Sequence, residues 1–136
     1  SGTVFALDIE PSILRASQVR AKSLRLTNIE YIVRDFVSDG SGLPDGVADY
    51  AMLFNILHTD EPVELLCEAL RNVRPAGRIG VIHWNYDPET PRGPPMEIRP
   101  RPRDCERWAE AAGLNCGRVI DLPPYHYGYL LSPVTN

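Results

Sequence analysis

No stretch of this chain approaches the ~20 consecutive apolar residues that a membrane-spanning helix needs, and its first residues lack a basic segment followed by an apolar one. The expectation is a soluble chain with no membrane partner. Cysteine is scarce as well. Cys67, Cys105 and Cys116 are odd in number and form no C-x-x-C pair, which fits reduced thiols in a cytoplasmic protein and excludes a disulfide framework. The three histidines, His58, His83 and His126, are too scattered to read as a metal site. A basic excess is also missing: the net charge is -4, and no aromatic series interleaves with basic residues, so no nucleic-acid partner is expected. No G-x-G-x-x-G occurs anywhere.

What is there is an alternation of strand and helix patterns, in a chain whose 136 residues suit one domain, 1–136, with one core. Residues 3–7 are strand formers and end on Asp8. Residues 12–26 put Ile13, Ser17, Ala21 and Leu24 at helical spacing, with Pro11 at the entry. IEYIV (29–33) is a second strand and ADYAMLF (48–54) a third, with the turn-rich SDGSGLPDG between them. Thr59 or Asp60 is expected to cap a helix through Arg71, with Leu65, Leu66, Ala69 and Leu70 inward. RIGVIHW (78–84) follows the PAG turn as a fourth strand. Six prolines then crowd an irregular stretch between Asp87 and Arg103, and a short helix over 103–112 ends at Gly113.

Residues 118–122 and 127–131 both read as strands, and only four residues separate them. A parallel crossover needs about a dozen residues, so these two must form an antiparallel hairpin. A parallel α/β sheet that finishes in such a hairpin resembles the class I S-adenosylmethionine-dependent methyltransferases of the small-molecule type. It fits a nicotinamide-dependent oxidoreductase less well, and no Tyr-x-x-x-Lys pair is present.

Several stretches carry that resemblance in the family's order. VFALDIEP resembles its second strand, which implicates Asp8 as partner of the two ribose hydroxyls of S-adenosylmethionine and Ile9 as a residue packing on adenine. VRDF resembles the end of the third strand, which gives Asp35 the adenine amino group and Phe36 a backbone amide contact. ADYAMLFNILH and EALRNVRPAGRIGVIHW resemble the fourth strand, a helix and the fifth strand, with N-x-x-H and R-P-x-G stretches. Ala76 stands where a glycine is usual. The resemblance thus implies a Rossmann-like methyltransferase sheet that uses S-adenosylmethionine as cofactor. Asn55 joins the cofactor-binding residues. His58 falls where methyl donor and acceptor meet, as a base or a hydrogen-bond partner of a small-molecule acceptor. His83 and Trp84 end the next strand and are placed on the acceptor, although alternation sends them to opposite faces.

Elementary chemistry supports these residue types. A carboxylate at the carboxyl end of a parallel strand accepts two neighbouring hydroxyl protons, a device dinucleotide enzymes share. Methyl transfer from an activated sulfonium asks for positioning and, where needed, removal of one proton. Asp8 has a competing role as a helix cap, and Asp35 as a turn former. In EIRPRPR, prolines hold Arg99, Arg101 and Arg103 extended, and Arg99 is assigned to the acceptor. The whole stretch is expected to cover the site, with Met96 and Ile98 inward and the arginines at the rim.

The family's first strand and glycine-rich turn would precede Thr3. A chain without them is expected to expose two unpaired strand edges, to pair as a homodimer through them, and to show weak or no turnover, as a truncated enzyme or a binding module.

Overall fold

Parallel pairing begins at once. The computed structural model describes residues 2–134. β1 (Val4–Asp8) pairs in parallel with β2 (Ile29–Val33), in a register that sets Asp8 opposite Val33, and α1 (Pro11–Ser23) is the crossover between them. Pro11 suits the first helical turn, where its missing N–H has no partner to lose. The helix ends three residues before the sequence reading has it. Arg25 takes a left-handed conformation (φ 58°), and the amides of Arg25 and Leu26 donate back to Lys22 O (3.0 Å) and Ala21 O (2.9 Å). This is a Schellman stop made without glycine, so no sequence signal marks it. Its buried face also differs from the expected one: Leu14 and Ala21 are buried, while Ile13 and Leu24 are exposed and Ser17 lies on the solvent side.

The chain divides into two compact units, Ser1–Gly42 and Leu43–Asn136. In the first, the loop after β2 is tied by Arg34, whose Nε and Nη2 donate to Gly40 O (2.6 Å) and Asp39 O (2.7 Å).

In the second unit, β3 (Ala48–Phe54) runs parallel to β4 (Val73–Trp84), joined by α2 (Pro62–Asn72). Neither Thr59 nor Asp60 caps α2. Glu61 holds that position with no side-chain bond, and Pro62 begins the helix. Leu65, Leu66 and Ala69 are buried as expected. β4 starts at Val73, five residues before the predicted strand, and absorbs the PAG segment through a register irregularity opposite Ala48 and Tyr50. Gly77 is required there, since a Cβ would lie 2.9 Å from Arg74 O and 3.1 Å from Asp49 O.

After α3 (Pro102–Ala111) come β5 (Leu114–Cys116), β6 (Ile120–Leu122) and β7 (His126–Pro133). The backbone N–H of Arg101 donates to Asp104 Oδ2 (2.9 Å) at the start of α3, and Gly113 (φ 76°) ends it as anticipated. β6 and β7 form the expected antiparallel hairpin, and β7 runs antiparallel to β4. β5, absent from the sequence reading, also pairs with β7, giving the order β3-β4-β7-β5 with β6 beside β7. Three residues are too few to show strand alternation. The core lies on the face of Leu53, Ile79, Val81, Tyr127, Tyr129 and Leu131, against Leu65, Leu66, Cys105 and Ala109 of the helices. No helix is long and apolar enough to cross a membrane among the described residues.

Candidate functional site

In the first unit, the two predicted acids stand at the carboxyl ends of adjacent parallel strands. Asp8 is the last residue of β1, and Asp35 lies two residues beyond β2. The Arg34 amide donates to Asp8 O (3.0 Å), which extends the ladder to the base of both. Asp8 Oδ1 accepts from the Glu10 amide (2.9 Å), a tight local turn, and Oδ2 has no partner among the described residues. The carboxylate therefore keeps acceptor capacity for hydroxyl groups while its orientation is held. It does not cap α1, whose N-cap is Glu10. Ile9, next to it, is an apolar side chain 55% exposed. Asp35 Oδ1 accepts from the Ser38 amide (3.0 Å), and that bond holds its carboxyl below the usual range, with the Ser38 side chain adding to it. Asp35 thus makes the turn, and as a lasting anion it remains an acceptor. Phe36 is half-buried beside it.

In the second unit, β3 ends in a sharp bend. Asn55 adopts φ 55°, a conformation that asparagine tolerates better than most residues. Its backbone N–H donates to Ile82 O (2.7 Å), while its side-chain Oδ1 is buried without a hydrogen-bond partner among the described residues. A buried carbonyl oxygen left unpaired is costly, so this oxygen suits a ligand that donates a hydrogen. Leu57 anchors the following turn, 1% exposed, and presents His58 half-buried above it.

His58 Nδ1 lies 3.3 Å from Nε2 of His83, with the rings nearly perpendicular at 82°. His83 is wholly buried, on the core face of β4 opposite Tyr127. Burial pushes it down to about 4, with the nearby His58 next in effect, and burial also lowers His58. Both rings are neutral at pH 7. Tyr127 closes this side by donating to Pro100 O (2.9 Å), and the Cys105 thiol touches its oxygen at 3.3 Å. Burial lifts Cys105 to about 11, so it is an inert thiol.

Trp84 lies on the opposite face, as alternation requires, stacked on its cross-strand neighbour His126 with centroids 4.2 Å apart. His83 does not reach the surface to meet an acceptor directly, which corrects its expected role. Arg99 is likewise placed otherwise than expected. It is buried, and its guanidinium donates to the carbonyls of Asn85, Asp87, Arg92 and Pro94 and to Thr90 Oγ1. Every guanidinium nitrogen is engaged, so the residue gathers the proline-rich stretch instead of standing at its rim. Ile98, expected inside, is 51% exposed, and Met96 is half-buried. Six prolines leave carbonyls without neighbouring amides, and a five-donor guanidinium answers that shortage better than an apolar side chain does. Gly93 (φ 121°) admits this arrangement, since a Cβ there would lie 2.8 Å from Arg99 Nη2 and 3.0 Å from Trp84. Among the described residues no group of His, Cys, Asp or Glu gathers to hold a metal ion.

Parallel strands with acids at their carboxyl ends, followed by an antiparallel finish, define a Rossmann-like fold of methyltransferase type. The chain belongs to the methyltransferase domain family, whose model matches residues 1–81. Among solved structures it is similar to a SAM-dependent methyltransferase from Aquifex aeolicus (26% identity, TM-score 0.84, covering 96% of this chain and 68% of that one). A protein from Pyrococcus horikoshii shares the fold at 20% identity and a TM-score of 0.78, covering 97% of this chain and 72% of its own. So does an O-methyltransferase from neocarzinostatin biosynthesis in complex with S-adenosyl-L-homocysteine and 1,4-dihydroxy-2-naphthoic acid, at 19% identity and a TM-score of 0.77, covering 97% and 42%. No curated protein matches the sequence.

Proposed function

We propose that this chain carries out S-adenosylmethionine-dependent methyl transfer to a small-molecule acceptor. The observation that carries the reading is the placement of Asp8 and Asp35 at the carboxyl ends of adjacent parallel strands, with one oxygen of Asp8 unpartnered among the described residues. When bound, the cofactor supplies a methyl group already activated on a sulfonium. Asp8 accepts from its ribose hydroxyls, Ile9 covers the adenine, Asp35 accepts from the adenine amino group, and the Phe36 amide donates to the ring. Asn55 Oδ1 accepts from a donor on the cofactor. His58 receives the acceptor's proton, and Trp84 offers an apolar surface to the acceptor. A soluble acceptor of the hydroxylated aromatic kind is consistent with one structural neighbour.

Calorimetric titration with S-adenosylhomocysteine tests the cofactor part. Asp8→Ala is expected to weaken binding about tenfold or more, since hydrogen bonds to a charged group are worth ~1.5–3 kcal/mol. An unchanged Kd removes Asp8 from the site. A homodimer completes the proposal. β1 and β3 each have a ladder partner on one side alone among the described residues, and such edges recruit other strands. Sedimentation at micromolar concentration is expected to give twice the chain mass, and a monomer at every concentration refutes pairing.

A further inference from the structure

His83 is a buried imidazole that the methyl-transfer reading does not use. Its ring nitrogen faces that of His58 at 3.3 Å, and the ring centroids stand 5.5 Å apart. That separation is nearly the longest two imidazoles allow at this nitrogen distance, so each nitrogen points along the line between the rings. Ring N–H bonds and lone pairs lie in the ring plane and point outward along that line. The contact is a directed N–H···N hydrogen bond, and one ring must donate.

His83 Nδ1 has no hydrogen-bond partner of either kind among the described residues, so what decides the direction is the protonation of His58. With the hydrogen of His83 on Nδ1, its Nε2 is the acceptor and His58 Nδ1–H the donor. When His58 is protonated the same arrangement is forced, because both its nitrogens then carry hydrogen.

We propose that His83 is a positioning residue for His58: its buried Nε2 holds the Nδ1–H of His58 and leaves His58 Nε2 as the nitrogen that takes the acceptor's proton. The inference rests on the reading of His58 as the group that meets the acceptor. In the step, the acceptor's bond to hydrogen breaks, its electron pair stays on the acceptor, and the proton bonds to His58 Nε2. The resulting imidazolium keeps its Nδ1–H on His83 and later releases the Nε2 proton to solvent. His83 remains neutral throughout, since beside burial the charges of His58, Arg99 and His126 all oppose its ionisation. Tyr127, the cross-strand neighbour, has its hydroxyl committed to Pro100 O and the Cys105 thiol.

The test is a nitrogen-15 imidazole titration of the full chain, with neither cofactor nor acceptor present. Above its midpoint, His58 is expected to carry hydrogen on Nδ1 and none on Nε2, and the reverse tautomer overturns the proposal. His83→Leu removes the acceptor and is expected to lower the His58 midpoint by about one pH unit, a tenfold loss of proton affinity. His83→Gln offers an amide oxygen in the same place and is expected to restore the original midpoint. A midpoint that stays or rises in His83→Leu overturns the proposal, because a donating His83 would have opposed protonation. If the leucine variant does not fold, the tautomer of the unmutated chain decides. Failure to bind S-adenosylhomocysteine is read separately and counts against the functional reading, not against the histidine pair.

Discussion

The two units, each taken by itself, are packed very differently. Ser1–Gly42 buries only Leu14 and Ala21 of its apolar side chains, and Val4, Ile9, Ile13, Val19, Leu24, Leu26 and Val33 remain exposed. Leu43–Asn136 buries Leu57, Leu66, Ile79, Val81 and Leu131 almost completely. The acids assigned to the cofactor stand on the thinly packed unit, and the histidine pair is set into the dense one. A group that moves a proton gains from a fixed partner and a dry setting. A carboxylate that accepts from hydroxyls needs only its strand end and one local bond, which Asp8 has in the Glu10 amide. Low local stability also lets a ligand act as part of the packing.

The sharpest way to break this comparison is truncation in each core. Leu66→Ala removes a side chain with no exposed surface, and a loss of ~3–5 kcal/mol is expected in urea denaturation, against ~2–3 kcal/mol or less for Leu14→Ala. Equal losses would show that the first unit is packed as well as the second. Acid should act on the second unit next. His83 titrates near 4 when folded and near its ordinary 6.5 when unfolded, so between these values the unfolded chain binds more protons. Stability is then fully present above about pH 6.5 and falls by on the order of 2–3 kcal/mol as the pH drops toward 4. His83→Gln, which cannot titrate, should flatten that part of the pH profile of Tm. An unchanged slope would place the acid-sensitive group elsewhere.

How much of this was legible beforehand follows the same division. Long runs of strand formers, ADYAMLF and RIGVIHW above all, fall on β3 and within β4. The terminal hairpin followed from loop length alone. The strand-end placement of Asp8 and Asp35 is legible because strand ends are readable, as is the turn-forming alternative that Asp35 fulfils. The inward face of α1 was misread, since with two buried side chains its sequence has almost no burial to record. The Arg25 stop was silent because glycine, its usual marker, is absent. Arg99 looked like a rim cation because charge is ordinarily exposed, and only the crowd of carbonyls supplied by a proline-rich chain reverses that expectation. The bond between His58 and His83 joins residues 25 apart. Its one sequence signal is that each follows the carboxyl end of a neighbouring parallel strand or closes it.

Hydrogen exchange with and without saturating S-adenosylhomocysteine tests the central claim most directly. If the cofactor acids act as proposed, the amides at the ends of β1 and β2, including Glu10, Arg34 and Ser38, exchange fast in the free chain and slow at least tenfold on binding, more than those of β4 and β7. Protection unchanged at these amides, or gained in β4 and β7 alone, would contradict the assignment of the cofactor to Asp8 and Asp35.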